Sequence, residues 1–180
     1  MIYEFFAEGF EETEAITPAD MLRRCGKEVV TVGVTGKTVK GSHNIPVVCD
    51  ITIDEIKTDD IEMIILPGGM PGTKNLGASK PLADIISYCA ENNILIGAIC
   101  AAPSVLGKMG LMKGRRAVCF PGFESALEGA QVLEVPAVAD GNIITARGAG
   151  AALEFSYELI KALIDEKTAE ELAKNIIWKR

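Results

Sequence analysis

Short apolar runs without polar alternation recur between helical patterns from one end of this chain to the other, and they restrict its fold severely. Ile2 to Ala7, Glu28 to Val34, Ile61 to Leu66, Ile94 to Ile99, Arg116 to Cys119 and Asn142 to Ala146 read as strands. A strand with one wet face alternates apolar and polar residues, whereas a continuous apolar run is expected of a strand covered on both faces. Helices are predicted at about Thr13 to Cys25, Pro81 to Asn92, Ala101 to Met109, Ala151 to Asp165 and Thr168 to Trp178, with Gly26 and Gly110 as stops. This alternation predicts an α/β sandwich with a mainly parallel sheet between layers of helices. Thr38 to Val48 reads as a small extended excursion, turned by Gly36, Gly41 and Asn44.

With 180 residues, 48% of them apolar, the chain can bury roughly 70% of its unfolded surface, so one domain over residues 1–180 is expected. Its five cysteines form no C-x-x-C pair and have one histidine to assist them, so no metal site is expected and a reduced, cytoplasmic setting fits. Glu4 and Glu8 stand where a secretory signal carries Lys or Arg, and the most apolar stretch, Ile94 to Gly107, is too short to cross a bilayer. A net charge of −7 repels phosphate backbones. Neither nucleic acid nor a membrane is an expected partner.

Ligands of open α/β sheets bind beyond the carboxyl ends of the strands, where strand order reverses. Four strand-to-helix loops are therefore of interest. In Gly97-Ala98-Ile99-Cys100-Ala101-Ala102-Pro103 a buried strand meets small residues that open a helix. Small neighbours permit a sharp turn, as at a nucleophile elbow, and a helix N-terminus favours negative charge, so Cys100 is expected to be more ionised than an ordinary cysteine. Cysteine also packs as a small hydrophobe, and this segment alone admits both readings.

Glu11, Glu12 and Glu14 lie in the first turn after the first strand, a position where acids usually face solvent. Any one of them brought against Cys100 would have to share a proton with it, because two adjacent negative charges are costly. The residues by themselves do not say which. Leu66-Pro67-Gly68-Gly69-Met70-Pro71-Gly72 could offer main-chain N–H groups as an oxyanion hole, or merely turn the chain. Arg147-Gly148-Ala149-Gly150 could likewise hold an anion or only connect strand to helix. His43 lies in the excursion and reads as an exposed turn residue, so no Cys-His-Asp or Cys-His-Glu triad is expected. Cys25, Cys49 and Cys89 read as packing residues, and Cys119 as an inert thiol near the same pocket.

Together, Gly9-Phe10-Glu11-Glu12-Thr13-Glu14, Leu66-Pro67-Gly68-Gly69, Ala98-Ile99-Cys100-Ala101-Ala102-Pro103 and Arg147-Gly148-Ala149-Gly150 resemble the ThiJ/PfpI superfamily, in the branch of the parkinsonism-associated protein deglycase and its bacterial relatives. The resemblance covers nearly the whole chain and implies a flavodoxin-like three-layer sandwich and a homodimer. It implies that Cys100 is the nucleophile and Glu14 the acid that hydrogen-bonds it, with Gly68, Gly69, Ala101 and Arg147 as oxyanion or binding residues. Phe120 stands where some members have histidine, which removes a protease-like reading; His43 replaces an arginine and Ala149 a proline. The activity implied is a cofactor-independent attack of Cys100 on a small α-oxoaldehyde or its early glycation adducts, with Glu14 as proton shuttle. The alternative is a redox sensor or chaperone in which Cys100 becomes a sulfinate stabilised by Glu14.

Overall fold

A computed structural model describes residues 1–179. Its strands are β1 (Ile2–Phe6), β2 (Val29–Gly33), β3 (Thr38–Lys40), β4 (Pro46–Val48), β5 (Ile51–Thr52), β6 (Met63–Leu66), β7 (Leu95–Ile99), β8 (Arg116–Ala117), β9 (Gln131–Val132), β10 (Ala137–Asp140) and β11 (Ile143–Ala146). Its helices are α1 (Glu12–Arg24), α2 (Gly72–Ala78), α3 (Lys80–Glu91), α4 (Pro103–Lys108), α5 (Ala152–Leu163) and α6 (Glu166–Asn175).

Seven strands form the main sheet in the order β10-β11-β7-β6-β1-β2-β5, all parallel to their neighbours except β10. The five long parallel strands thus follow a second, first, third, fourth, fifth order, which reverses between β1 and β6; this is the flavodoxin-like arrangement. Every residue of β1, β6 and β11 is buried. Successive side chains leave opposite faces of a strand, so Ile64 and Leu66 enter one core with Phe5, Ile86 and Leu106, while Met63 and Ile65 enter the other with Leu22, Phe155 and Ile160. Both faces are covered, as the unbroken apolar runs predict.

Several elements depart from the sequence reading, the short strands β5 and β9 among them. Only Arg116–Ala117 of the predicted Arg116–Cys119 strand forms, and it pairs with β9 in a separate two-stranded ladder. Side chains take its donors instead: Asp140 accepts the Arg116 N–H at 3.1 Å, and the Thr145 hydroxyl oxygen accepts the Val118 N–H at 2.9 Å. Helix α2 is additional; Gly72 and Gly77 disguise it, but Leu76 anchors it in the core. Strand β10 escapes the apolar-run criterion because its four residues are only half-buried at the sheet edge. The excursion folds as the β3–β4 hairpin.

Glu4 breaks the apolar rule inside β1. It pairs with Thr31 of β2 and Ile65 of β6, is fully out of solvent, and neither carboxyl oxygen has a hydrogen-bond partner among the described residues. Burial pushes its carboxyl well above the usual range, against the opposing pull of Arg23. The folded chain therefore retains a proton that the unfolded chain releases once pH passes about 4.3. More protons are bound in the folded state, so this residue's contribution falls as pH rises from there toward the folded-state pKa. Glu4→Met is expected to raise Tm at pH 8 and to flatten the decline of Tm between pH 5 and 9. The gain should be about 1–3 kcal/mol, the penalty for an unsatisfied buried polar group. Thermal unfolding followed against pH measures it, and an unchanged slope would assign the titration to another group.

Candidate active site

The loops after β1, β6 and β7 converge at the point where strand order reverses. Cys100 follows β7 directly and takes a left-handed backbone conformation, with φ of 65°. Its main chain is held on both sides: its N–H donates to the Ala146 carbonyl at 2.9 Å, and its own carbonyl accepts the Phe120 N–H at 2.8 Å. The turn that results is the elbow expected from the small flanking residues.

Glu14 reaches the same place from the first turn of α1 and is 1% exposed. Its Oε2 accepts the Gly68 N–H at 3.0 Å, the Ala149 N–H also bonds the carboxyl, and the Cys100 thiol completes its hydrogen bonds. The N–H groups of Gly69 and Ala101 point to the Cys100 sulfur. Gly68 makes the meeting possible: a Cβ at this position would lie 2.5 Å from Glu14 Oε2 and 2.6 Å from the Cys100 Cβ. Its N–H is already given to Glu14, so Gly68 orients the acid and does not serve as an oxyanion donor, a correction to the expected role. The Gly69 and Ala101 N–H groups remain beside the sulfur.

Burial pushes the Glu14 carboxyl up to about 7, with a further push from the Glu11 charge against the pull of its hydrogen bonds. Cys100 is pushed up to about 12, first by burial and then by the Glu14 carboxylate, while the Gly69 and Ala101 N–H groups pull the other way. Burial and the neighbouring carboxylate thus work against the ionisation expected from the helix start, and the two N–H groups work for it. Helix α4 begins only at Pro103 and has six residues, so it gives little dipole at the sulfur, and desolvation prevails. The pair accommodates one negative charge and one proton between them. A thiolate forms when that proton sits on Glu14, because the carboxylate's repulsion then disappears and the two N–H donors remain. Basicity does not distinguish Cys100, since burial raises Cys89 to about 12 and Cys49 and Cys119 to about 11. What distinguishes it is the elbow, the two donors and the neighbouring acid.

The other two glutamates have different tasks. Glu11 is the N-cap of α1, accepting the Glu14 N–H at 2.8 Å. Glu12 ties the turn between β3 and β4 to α1: its carboxylate accepts the His43 N–H at 2.7 Å and lies 2.9 Å from His43 Nδ1. Burial pushes Glu12 up, but these hydrogen bonds outweigh it and hold the carboxyl below its ordinary value; the same contact raises His43, whose side chain is exposed. Glu11, Glu12 and His43 each place one possible metal-ligand atom within 4.8 Å of the others, yet both carboxylates are already occupied by main-chain donors.

Arg147 stands apart from the pair. It lines an adjoining pocket of about 530 Å³ with Phe120, Val135, Pro136, Gly148 and Glu154. Gly148 joins the two regions, because a Cβ there would be 3.3 Å from the Phe120 ring and 3.8 Å from Glu14 Oε1. The Arg147 N–H goes to the Pro136 carbonyl and that of Ala149 to Glu14, so these two do not form the anion cradle suggested by the loop's glycines. Ala149 is the contact that the sequence reading missed. Its residue type carries no signal for it.

A flavodoxin-like sandwich with a cysteine at a strand-to-helix elbow, facing a buried glutamate at the sheet's switch point, defines a class of cysteine-bearing α/β proteins. The chain belongs to the DJ-1/PfpI family, which it matches over residues 1–162. It is 34% identical to protein dj-1beta of Drosophila melanogaster over 174 residues, covering 95% of this chain and 93% of that protein. It is 30% identical to the glutathione-independent glyoxalase DJR-1.2 of Caenorhabditis elegans, covering 93% and 90% respectively. The structure of oxidised DJ-1 from Toxoplasma gondii superposes with a TM-score of 0.95 at 31% identity, over 99% of this chain and 98% of that one.

Proposed function

We propose that this protein is a cofactor-independent glyoxalase or deglycase-type enzyme, acting as one domain on small α-oxoaldehydes such as methylglyoxal or on their early adducts with amines and thiols. The observation that carries this reading is the meeting of Cys100, on its left-handed turn, with the buried Glu14 carboxyl across Gly68. The name of the Caenorhabditis elegans relative supports the same chemistry. The Cys100 sulfur adds to the aldehyde carbon, and the new oxyanion takes its proton from Glu14 while Gly69 and Ala101 stabilise it. The carboxylate so formed removes the hydrogen from that carbon as a proton and delivers it to the adjacent carbonyl carbon, while the hydroxyl proton on the first carbon passes to the oxygen of the second. The first carbon is oxidised to a thioester and the second reduced to an alcohol, so no outside oxidant or reductant is needed. Water then releases a hydroxy acid and restores the thiol. Glu14, poised near 7, can give and take a proton at neutral pH.

A second reading is supported by the Toxoplasma gondii structure described as oxidised. In it Cys100 reacts with peroxide to a sulfinate, held by protonated Glu14, and the protein acts through partners. Turnover of methylglyoxal by peroxide-free protein, set against mass gain at Cys100 in dilute peroxide, separates the two. No helix among the described residues is long and apolar enough to cross a membrane, and we place the protein in the cytoplasm. The homodimer is proposed to form on the face where Ile16 of α1 and Ile45 and Val48 of the hairpin are exposed; sedimentation of an Ile16→Glu, Val48→Glu variant tests it.

Expelling an amine from a peptide needs an acid that can protonate it, and the only imidazole is paired to Glu12 with Phe120 in the place of a second one. His43→Ala is expected to leave oxoaldehyde turnover within about an order of magnitude, at most about 1.4 kcal/mol on the barrier. Peptidase activity should be absent from the parent. A peptidase signal lost in both His43→Ala and Cys100→Ser would replace this reading with a protease-type one.

A further inference from the structure

A cavity of about 280 Å³ lies between α2, α3 and α4, on the far side of the two loops whose N–H groups face Cys100. Leu76, Ile86, Val105 and Met109 give it apolar walls, and no aspartate or glutamate lines it. Two lysines, Lys74 and Lys108, also line it; both are exposed and neither has an ion pair or side-chain hydrogen bond among the described residues. Two adjacent, uncompensated cations are notable in a chain of net charge −7. The third polar group is Thr73, which lines the same cavity, is 4% exposed, and has a hydroxyl oxygen with no hydrogen-bond partner among the described residues. A buried hydroxyl without a partner is costly, and a ligand or water normally supplies one.

Apolar walls, an orphan hydroxyl and two free cations are complementary to one kind of molecule. We infer that this cavity is a second ligand site, separate from the Cys100 pocket, and that it takes a small amphipathic anion: a short apolar body against Leu76, Ile86, Val105 and Met109, with one carboxylate or phosphate group neutralised by Lys74 and Lys108. Thr73 supplies the remaining hydrogen bond. The volume is near the lower end of the range of about 300–1,000 Å³ found for small-molecule pockets, so the body is short. The floor of the site is tied to the catalytic loops by single hydrogen bonds. The Thr73 N–H donates to the Gly69 carbonyl at 2.9 Å, and the Ser104 hydroxyl donates to the Ala101 carbonyl at 2.6 Å.

Binding of butyrate and of butyl phosphate to the full chain, measured by calorimetry and by ligand-observed NMR, tests the inference and separates the two headgroups; butanol and butylamine serve as controls. At least one of the two anions should bind saturably with Kd of about a millimolar or tighter. Gly77→Leu should abolish this binding without unfolding the helix, because a Cβ at Gly77 meets only Val105 at 3.7 Å and a longer side chain fills the cavity. Thr73→Val, and separately Lys74→Gln with Lys108→Gln, should each weaken it about tenfold or more, as for a lost hydrogen bond to a charged group. Cys100→Ala should bind like the parent, which separates this site from the proposed active site. Four results would each overturn the inference: no saturable binding of either anion, equal binding of butanol or butylamine, unchanged affinity in Gly77→Leu, or unchanged affinity in Thr73→Val, which would leave that hydroxyl to water.

Discussion

Cys100→Ala is expected to abolish oxoaldehyde turnover while the protein remains folded. Every proposed covalent step uses the sulfur, so its removal leaves only the two N–H donors and a carboxyl that has nothing to shuttle a proton to. Nucleophile and base commonly act as one unit, so adding Glu14→Gln to Cys100→Ala should cost little more than the single change. Methylglyoxal loss and hydroxy-acid formation, both followed in protein purified without oxidant, measure the effect. Residual turnover above about 1% of the parent would show that the aldehyde reacts elsewhere, with exposed amines or other thiols.

Glu14→Gln should give a folded protein with turnover lower by roughly 10²- to 10⁴-fold, the range typical of a positioned acid or base. The accompanying change in pH profile is the more decisive measurement. In the parent, the pair must lose its first proton before it holds the one negative charge the reaction needs, so kcat/KM should fall as pH drops through about 7. Glutamine cannot carry that proton. The limb near 7 should vanish and residual activity should instead rise toward the range of a buried thiol. Glu11→Gln and Glu12→Gln should do far less to the profile, because one caps α1 and the other holds the hairpin. Equal losses and equal profiles in all three variants would point to a general charge effect.

The parallel core of the fold was legible because its strands are buried on both faces, and residue type alone carries that signal. The failures have equally physical origins. Arg116 to Cys119 has a strand's composition, but whether an N–H finds a main-chain or a side-chain acceptor depends on Thr145 and Asp140, more than twenty residues away. Glu11, Glu12 and Glu14 suit a first helical turn equally well, so only the family resemblance singled out Glu14; the directions of the three side chains exist only once α1 is seated against β1. The opposing effect of burial on Cys100 was hidden for the same reason. A helix start can be read from small residues and a proline, whereas the depth at which the sulfur is buried cannot.

The left-handed backbone of Cys100 bears on how such positions can be found. Asn44 and Asn93 share that conformation, and asparagine tolerates it; a cysteine does not do so readily. Conformational preference alone would install glycine at residue 100, since glycine enters this region without the steric strain of roughly 1–3 kcal/mol that other residues incur. Selection for folding and selection for chemistry therefore pull this residue in opposite directions. Across related chains, a site under such tension should alternate between two outcomes: cysteine where the chemistry persists, and relaxation to a more comfortable residue where it has been abandoned. The backbone angle thus turns a single structure into a criterion for sorting active relatives from those that have kept only the scaffold.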